Sequence, residues 1–104
     1  MTSCMTCGMP FTGNHEKDVG LETAEGTVCV YDVKDGVMKS PEDIFEGGVE
    51  FFLHAAAEGD RALAERLTRK NMNSLSYWQA YPFDLLNGDA ATEEEFGAAM
   101  QKVM

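Results

Sequence analysis

The sequence predicts a small α+β fold in which an N-terminal β unit is followed by a bundle of about three to four helices. The first 36 residues are rich in Cys, Gly and turn-forming residues, whereas the rest contains capped apolar repeats with helical spacing. A chain of 104 residues has room for one main hydrophobic core. We therefore expect residues 1–38 to form the β unit and residues 39–104 a helical region packed against it as one small domain.

The β unit contains one clear strand signal. Thr27 to Tyr31 alternates β-branched and other residues, and Lys34-Asp35-Gly36 supplies a turn after it. Residues 27–31 are therefore predicted to form a short strand that ends near the last cysteine.

The first helix is predicted from its start signal. Ser40 can cap it, and Pro41 suits the first helical position. Gly47-Gly48 lies inside the helical repeat and is expected to kink or split the helix, since each glycine costs about 1 kcal/mol relative to alanine. Gly59 is predicted to end it.

Two further helices have caps of their own. Asp60 is predicted to cap a helix that ends near Asn71, and Thr92 with Glu95 forms a capping box before an apolar repeat. Between them, the aromatic segment 72–86 is predicted to cover the core, with a stacking platform of Tyr and Trp rings as the alternative.

The cysteines indicate a metal site. Cys4 and Cys7 are three residues apart, and Gly8 permits the tight turn that would point both sulfurs at one ion. A second pair is expected some 15 to 20 residues further on, and the chain has Cys29 followed three residues later by Asp32. Zinc accepts both thiolate and carboxylate ligands, so these four residues predict one zinc ion in a zinc-ribbon-like unit.

Three alternatives compete with that ligand set. His15 could supply the fourth ligand in place of Asp32, or the ribbon could have lost its metal and kept buried, reduced thiols. Cys4 and Cys7 could instead form a thiol redox or metal-handling centre, but no strand precedes them as such motifs require.

The motif Cys4-Met5-Thr6-Cys7-Gly8-Met9-Pro10, together with Cys29-Val30-Tyr31-Asp32 and a capped helix near Ser40, resembles the putative zinc ribbon domain family of small, mostly uncharacterised bacterial proteins. The resemblance covers residues 1 to about 60 and extends to the segment Leu75–Trp78. It implies a zinc ribbon followed by helices, one bound zinc ion and no established activity. The family has Cys where this chain has Asp32.

The charge and hydropathy of the chain limit the kinds of partner that it can bind. Eight basic against eighteen acidic side chains give a net charge of −10, which disfavours nucleic acid. Residues 41–60 are acidic and residues 61–81 mostly basic, so these segments are expected to pack together, although the bases could instead form an anion-binding strip. No apolar run reaches the roughly 18 residues of a membrane span and no signal-peptide layout is present, so we expect a cytoplasmic protein without membrane association.

These observations favour a non-enzymatic protein-interaction or regulatory module. No nucleophile motif, phosphate loop or zinc-hydrolase signature accompanies His15 or His54. The competing hypotheses are a thiol redox or metal-handling protein and a ribbon associated with nucleic acid. The oligomeric state and the partner's identity do not follow from the sequence.

Overall fold

Two short antiparallel hairpins precede four α-helices in the computed structural model, which describes residues 3–103. Strand β1 (Val19–Glu22) pairs with β2 (Thr27–Cys29), and β3 (Val33–Lys34) pairs with β4 (Val37–Met38). The predicted small α+β architecture is thus confirmed, with a β-containing segment first and helices after it.

The predicted turn at Asp35-Gly36 connects β3 to β4. Asp35 has φ 54° and Gly36 has φ 81°, the pair of positive φ angles that a two-residue type I′ hairpin requires. The strand predicted for residues 27–31 is shorter, because β2 stops at Cys29 and one turn of 3₁₀-helix covers Val30–Asp32.

The helices are α1 (Pro41–Ala55), α2 (Arg61–Asn73), α3 (Ser76–Ala80) and α4 (Glu93–Val103). The three predicted caps are confirmed. The side chains of Ser40 and Asp60 each accept a hydrogen bond from the backbone N–H three residues on, and Thr92 and Glu95 bond reciprocally as a capping box.

The expected interruption at Gly47-Gly48 was wrong, since α1 runs unbroken through both glycines. A Cβ atom on Gly48 would lie 2.9 Å from Thr68 Cγ2 on α2. The missing side chain therefore lets the two helices approach closely, and this tertiary packing outweighs the weak helix propensity of glycine.

Gly59 does not end α1, contrary to prediction. The helix stops at Ala55, and Glu58 and Gly59 follow in a turn with φ of 52° and 87°. The Gly59 N–H still donates to the Leu53 carbonyl at 3.1 Å. Gly59 thus satisfies one carbonyl of the last turn of α1, although it lies beyond the helix end in the connection to α2.

Two separate buried clusters stabilise the protein. A small one lies under the hairpins and contains Cys4, Phe11, Val28 and Cys29. A larger one joins the helices; Trp78 is 1% exposed within it, whereas Tyr81 is 52% exposed. The aromatic segment therefore divides between core and surface.

The predicted boundary between a β unit of residues 1–38 and a helical region of residues 39–104 stays a prediction.

Three basic residues of α2 are paired with acids on two neighbouring helices, and the fourth, Arg69, donates to the backbone carbonyls of Leu85 and Asp89. Arg61 lies 2.7 Å from Glu46 of α1, as the charge pattern predicted. Arg66 and Lys70 instead pair with acids of α4. These pairs disfavour a free anion-binding strip.

Among residues 3–103, no helix is long and apolar enough to cross a membrane.

Candidate metal centre

The first half of the site is a tight loop that begins at Cys4. The Cys4 N–H donates to the Met9 carbonyl at 2.8 Å, and the Gly8 N–H donates to the Cys4 carbonyl at 2.8 Å. Gly8 has φ 82°, a conformation that favours glycine. The loop thereby turns Cys4 and Cys7 toward the same side.

The second half of the site comes from the end of β2. The Met5 N–H donates to the Thr27 carbonyl at 2.8 Å and fastens the loop to this strand. Because the chain makes a 3₁₀ turn directly after Cys29, Asp32 returns to the side on which Cys29 points. The Cys29 N–H also donates to Cys4 Sγ at 3.3 Å, a contact that stabilises a thiolate.

The structure brings Cys4, Cys7, Cys29 and Asp32 together, and their ligand atoms all lie within 4.8 Å of one another. The Sγ atoms of Cys7 and Cys29 are 3.7 Å apart, and Cys4 Sγ lies 3.7 Å from Asp32 Oδ2. In a tetrahedral zinc site with bonds of about 2.3 Å, two sulfur ligands are about 3.8 Å apart. The spacing of the donors therefore fits one tetrahedral metal ion.

His15 takes part in a different contact. Its Nδ1 atom lies 2.9 Å from Asp18 Oδ2, and the His15 side chain is about half exposed. It is not a member of the group of four donors. The geometry favours Asp32 over His15 as the fourth donor.

Thr6 is a site residue that the sequence reasoning missed. Its side chain is fully buried, and its hydroxyl donates to Asp32 Oδ2 at 2.6 Å and lies 3.0 Å from Cys4 Sγ. Such a contact fixes the orientation of a carboxylate ligand. The sequence does show a hydroxyl side chain between the two loop cysteines. Its hydrogen-bond partner lies 26 residues further along the chain, so the contact could not be inferred from the spacing.

The pKa values of the clustered side chains are shifted in opposite directions by their mutual contacts and by burial. Hydrogen bonds from the Cys29 and Cys7 side chains hold the pKa of Cys4 well below its usual value. Hydrogen bonding to Cys29 raises the pKa of Cys7, and burial raises the pKa of Asp32. One anion in this cluster thus suppresses ionisation of its neighbours, whereas a divalent cation would favour all four in their ionised forms.

Helices α2 and α3 hold the backbone of the cysteine loop. Asn71 Nδ2 donates to the Cys7 carbonyl at 2.9 Å, and Trp78 Nε1 donates to the Thr6 carbonyl at 2.9 Å. Both donors lie more than 60 residues further along the chain. The helical region therefore helps to position the cysteine loop.

Comparison with known proteins agrees with this geometry. The family model described as "Putative zinc ribbon domain" matches residues 3–79, which include the cysteine loop, both hairpins, α1, α2 and all but the last residue of α3. Searches of curated proteins and of solved structures found no match. The match covers well over half of the 104 residues. The chain is thus a member of the putative zinc ribbon domain family.

Proposed function

We propose that this protein is a non-enzymatic, zinc-stabilised module that acts by binding a protein partner. The observation that carries the proposal is the closed cluster of Cys4, Cys7, Cys29 and Asp32, with ligand atoms within 4.8 Å of one another. Four protein donors complete a tetrahedral shell, whereas catalytic zinc sites keep one position for water or substrate. The metal would therefore hold the fold together and leave binding to the protein surface.

Zinc suits this donor set better than other common ions. Three sulfurs and one carboxylate match the mixed ligands that zinc accepts, whereas magnesium and calcium select oxygen. Copper(I) would favour the thioethers of Met5 and Met9, but a carboxylate is a hard ligand for it. The thiols need a reducing compartment, which supports a cytoplasmic location.

Two alternative functions receive less support from the contacts. A redox centre needs an accessible attacking thiol, and Cys4 is fully buried. A nucleic-acid surface needs unpaired basic residues, and Arg61, Arg66 and Lys70 are engaged with acids. Exposed apolar side chains support contact with a protein. Within the described part of the chain, the large apolar side chains that are more than half exposed are Tyr31, Val37, Phe51 and Tyr81.

The first test is the zinc content of protein purified without added metal, measured by elemental mass spectrometry beside the intact native mass. We expect one zinc ion per chain. A folded chain with three free thiols and no zinc would contradict the proposal and favour a ribbon that has lost its metal.

Substitution of Asp32 tests the fourth ligand. Asp32→Cys completes a four-thiolate set and should tighten zinc binding, measured by competition with a chelator. Asp32→Asn should weaken zinc binding by more than the roughly 10- to 100-fold loss that is typical when a hydrogen bond to a metal ligand is removed. Asp35→Asn is the matched control, because Asp35 is an exposed acid in the nearby hairpin turn. Equal zinc affinities across these proteins would show that Asp32 is not a ligand.

A further inference from the structure

A groove runs along the seam between the cysteine loop and helix α3. It has a volume of about 520 Å³, within the roughly 300–1,000 Å³ typical of small-ligand sites. Such a space accepts one or two side chains rather than a whole helix. Its lining comes from three segments: Ser3–Met5, Glu25–Gly26 and residues of Leu75–Tyr81.

One wall of the groove is aromatic. The ring centroids of Tyr77 and Tyr81 are 5.0 Å apart at an interplanar angle of 42°. Tyr77 also packs edge-on against the buried Trp78, with centroids 4.8 Å apart. Tyr77 is thus anchored to the core, while Tyr81 is 52% exposed and offers a free ring surface.

The groove also contains one carboxylate, that of Glu25. Glu25 is exposed and lines the groove together with Tyr77 and Tyr81. Among residues 3–103, no basic side chain forms an ion pair with Glu25, and no Lys, Arg or His lines the groove. An aromatic face beside a carboxylate attracts a cation by both cation–π and Coulomb interactions.

We infer that this groove receives an arginine or lysine side chain from a basic segment of a protein partner, which stacks on Tyr81 and pairs with Glu25. The charge complementarity extends beyond the groove, since the chain as a whole carries a net charge of −10 and would steer a basic segment toward itself. The inference rests on the proposed function, because it names the partner chemistry of that module.

The groove adjoins the candidate metal centre. Cys4 lines it, and the N–H of Met5 is fastened to the Thr27 carbonyl beside the second half of the site. Loss of the metal would release the cysteine loop that forms one wall. Binding of a basic segment should therefore require the zinc-loaded protein.

The test is an NMR titration of the isotope-labelled, zinc-loaded full chain with the capped peptide Gly-Gly-Arg-Gly-Gly and a matched peptide that carries neutral citrulline. We expect signals of Glu25, Tyr77 and Tyr81 to shift with the arginine peptide alone. Tyr81→Ala and Glu25→Gln should each weaken binding about two- to fivefold. Both side chains are exposed, so unchanged zinc content and circular dichroism will show that the variants fold.

Two controls separate the groove from general charge effects. Glu22→Gln removes an equal charge from β1 of the same hairpin, and Phe51→Ala removes an exposed ring from α1; both should bind the arginine peptide as the unaltered protein does. Equal binding of the citrulline peptide, or shifts confined to the acidic face of α1, would overturn the inference. Equally tight binding of free arginine amide would overturn it in favour of a small-molecule site.

The outcomes also separate this inference from the proposed function. A chain that purifies with one zinc ion but does not bind the arginine peptide contradicts the groove alone. A folded chain without zinc contradicts the proposed function whatever the titration shows. Binding of the arginine peptide to metal-free protein as tightly as to zinc-loaded protein would contradict the predicted dependence on the metal.

Discussion

The hairpin region and the helical region of this protein are stabilised in different ways. Residues 3–38 have strands of two to four residues and a buried cluster that includes two of the candidate ligands, Cys4 and Cys29. Residues 41–103 have four helices, three of them with side-chain caps, around a core of 13 buried side chains. Apolar burial is therefore extensive in the second region and slight in the first.

This difference gives a physical reason for the candidate metal site to lie in the hairpin region. A segment of fewer than 40 residues seldom buries enough apolar surface to offset its loss of conformational entropy. Metal binding can supply that stability, since structural zinc contributes on the order of 10–16 kcal/mol in zinc-finger peptides. The two regions are nevertheless joined, because Asn71 and Trp78 donate hydrogen bonds to carbonyls of the cysteine loop.

The largest effect is expected for Cys4→Ser. It removes a buried thiolate donor, so the chain should lose zinc and the hairpin region should unfold, while the helical core keeps its shape. Far-UV circular dichroism should retain most of its helical signal, and fluorescence of Trp78 should change because its partner at Thr6 moves. If the helices unfold together with the hairpins at the same urea concentration, the two regions are a single cooperative unit.

A smaller effect is expected for Thr6→Val, which keeps the shape of the side chain but removes the hydroxyl that bonds to Asp32. Zinc affinity should fall roughly 10- to 100-fold, as is typical when a side chain that hydrogen-bonds to a metal ligand is removed. A competition assay with a chelator measures this change.

Thr68→Val is the matched control for that experiment. Thr68 is also a buried threonine, but its hydroxyl donates to the Ala64 carbonyl within α2. Zinc affinity should be unchanged in this variant. An equal loss in both variants would mean that the Thr6 hydroxyl acts through general packing and not through Asp32.

The smallest effects are expected at the two adjacent glycines of α1. Gly47→Ala should stabilise the helix by about 0.5–1 kcal/mol, because nothing lies within 4 Å of the added Cβ. Gly48→Ala should destabilise the protein, since the added methyl would meet Thr68 Cγ2 at 2.9 Å and overpacking costs about 1–3 kcal/mol. Urea unfolding followed by circular dichroism measures both.

The clash at Gly48 can be isolated by a second substitution. Thr68→Ser removes the opposing methyl group, so Gly48→Ala should cost less in that background. Neither glycine variant should alter zinc content, because both act on the helical region. Equal stability changes at the two glycines would contradict the role of Gly48 in helix packing.

Local signals in the sequence predicted local structure well. Ser40, Asp60 and Thr92 begin the helices as expected, because a cap bonds to a backbone group only three residues away. The turn at Asp35-Gly36 was predicted for the same reason, since its φ angles follow from the two residues themselves. The donor set followed from the short spacing within each ligand pair, and the structure brings all four donors together.

Features that depend on distant partners were not predictable. Gly47-Gly48 looked like a break, but the chain needs a small residue where α2 crosses α1. Thr6 acquires its role from Asp32, which is 26 residues away.

The sequence by itself therefore determined the fold class, the starts of three helices and the four candidate ligands, because each depends on contacts within a few residues or on a spacing fixed by the backbone. The tertiary structure decided which glycine is needed for packing, which hydroxyl orients the carboxylate and where an aromatic wall meets an acid. Those features depend on which segments lie against each other in space, and that arrangement is set by packing of the whole core.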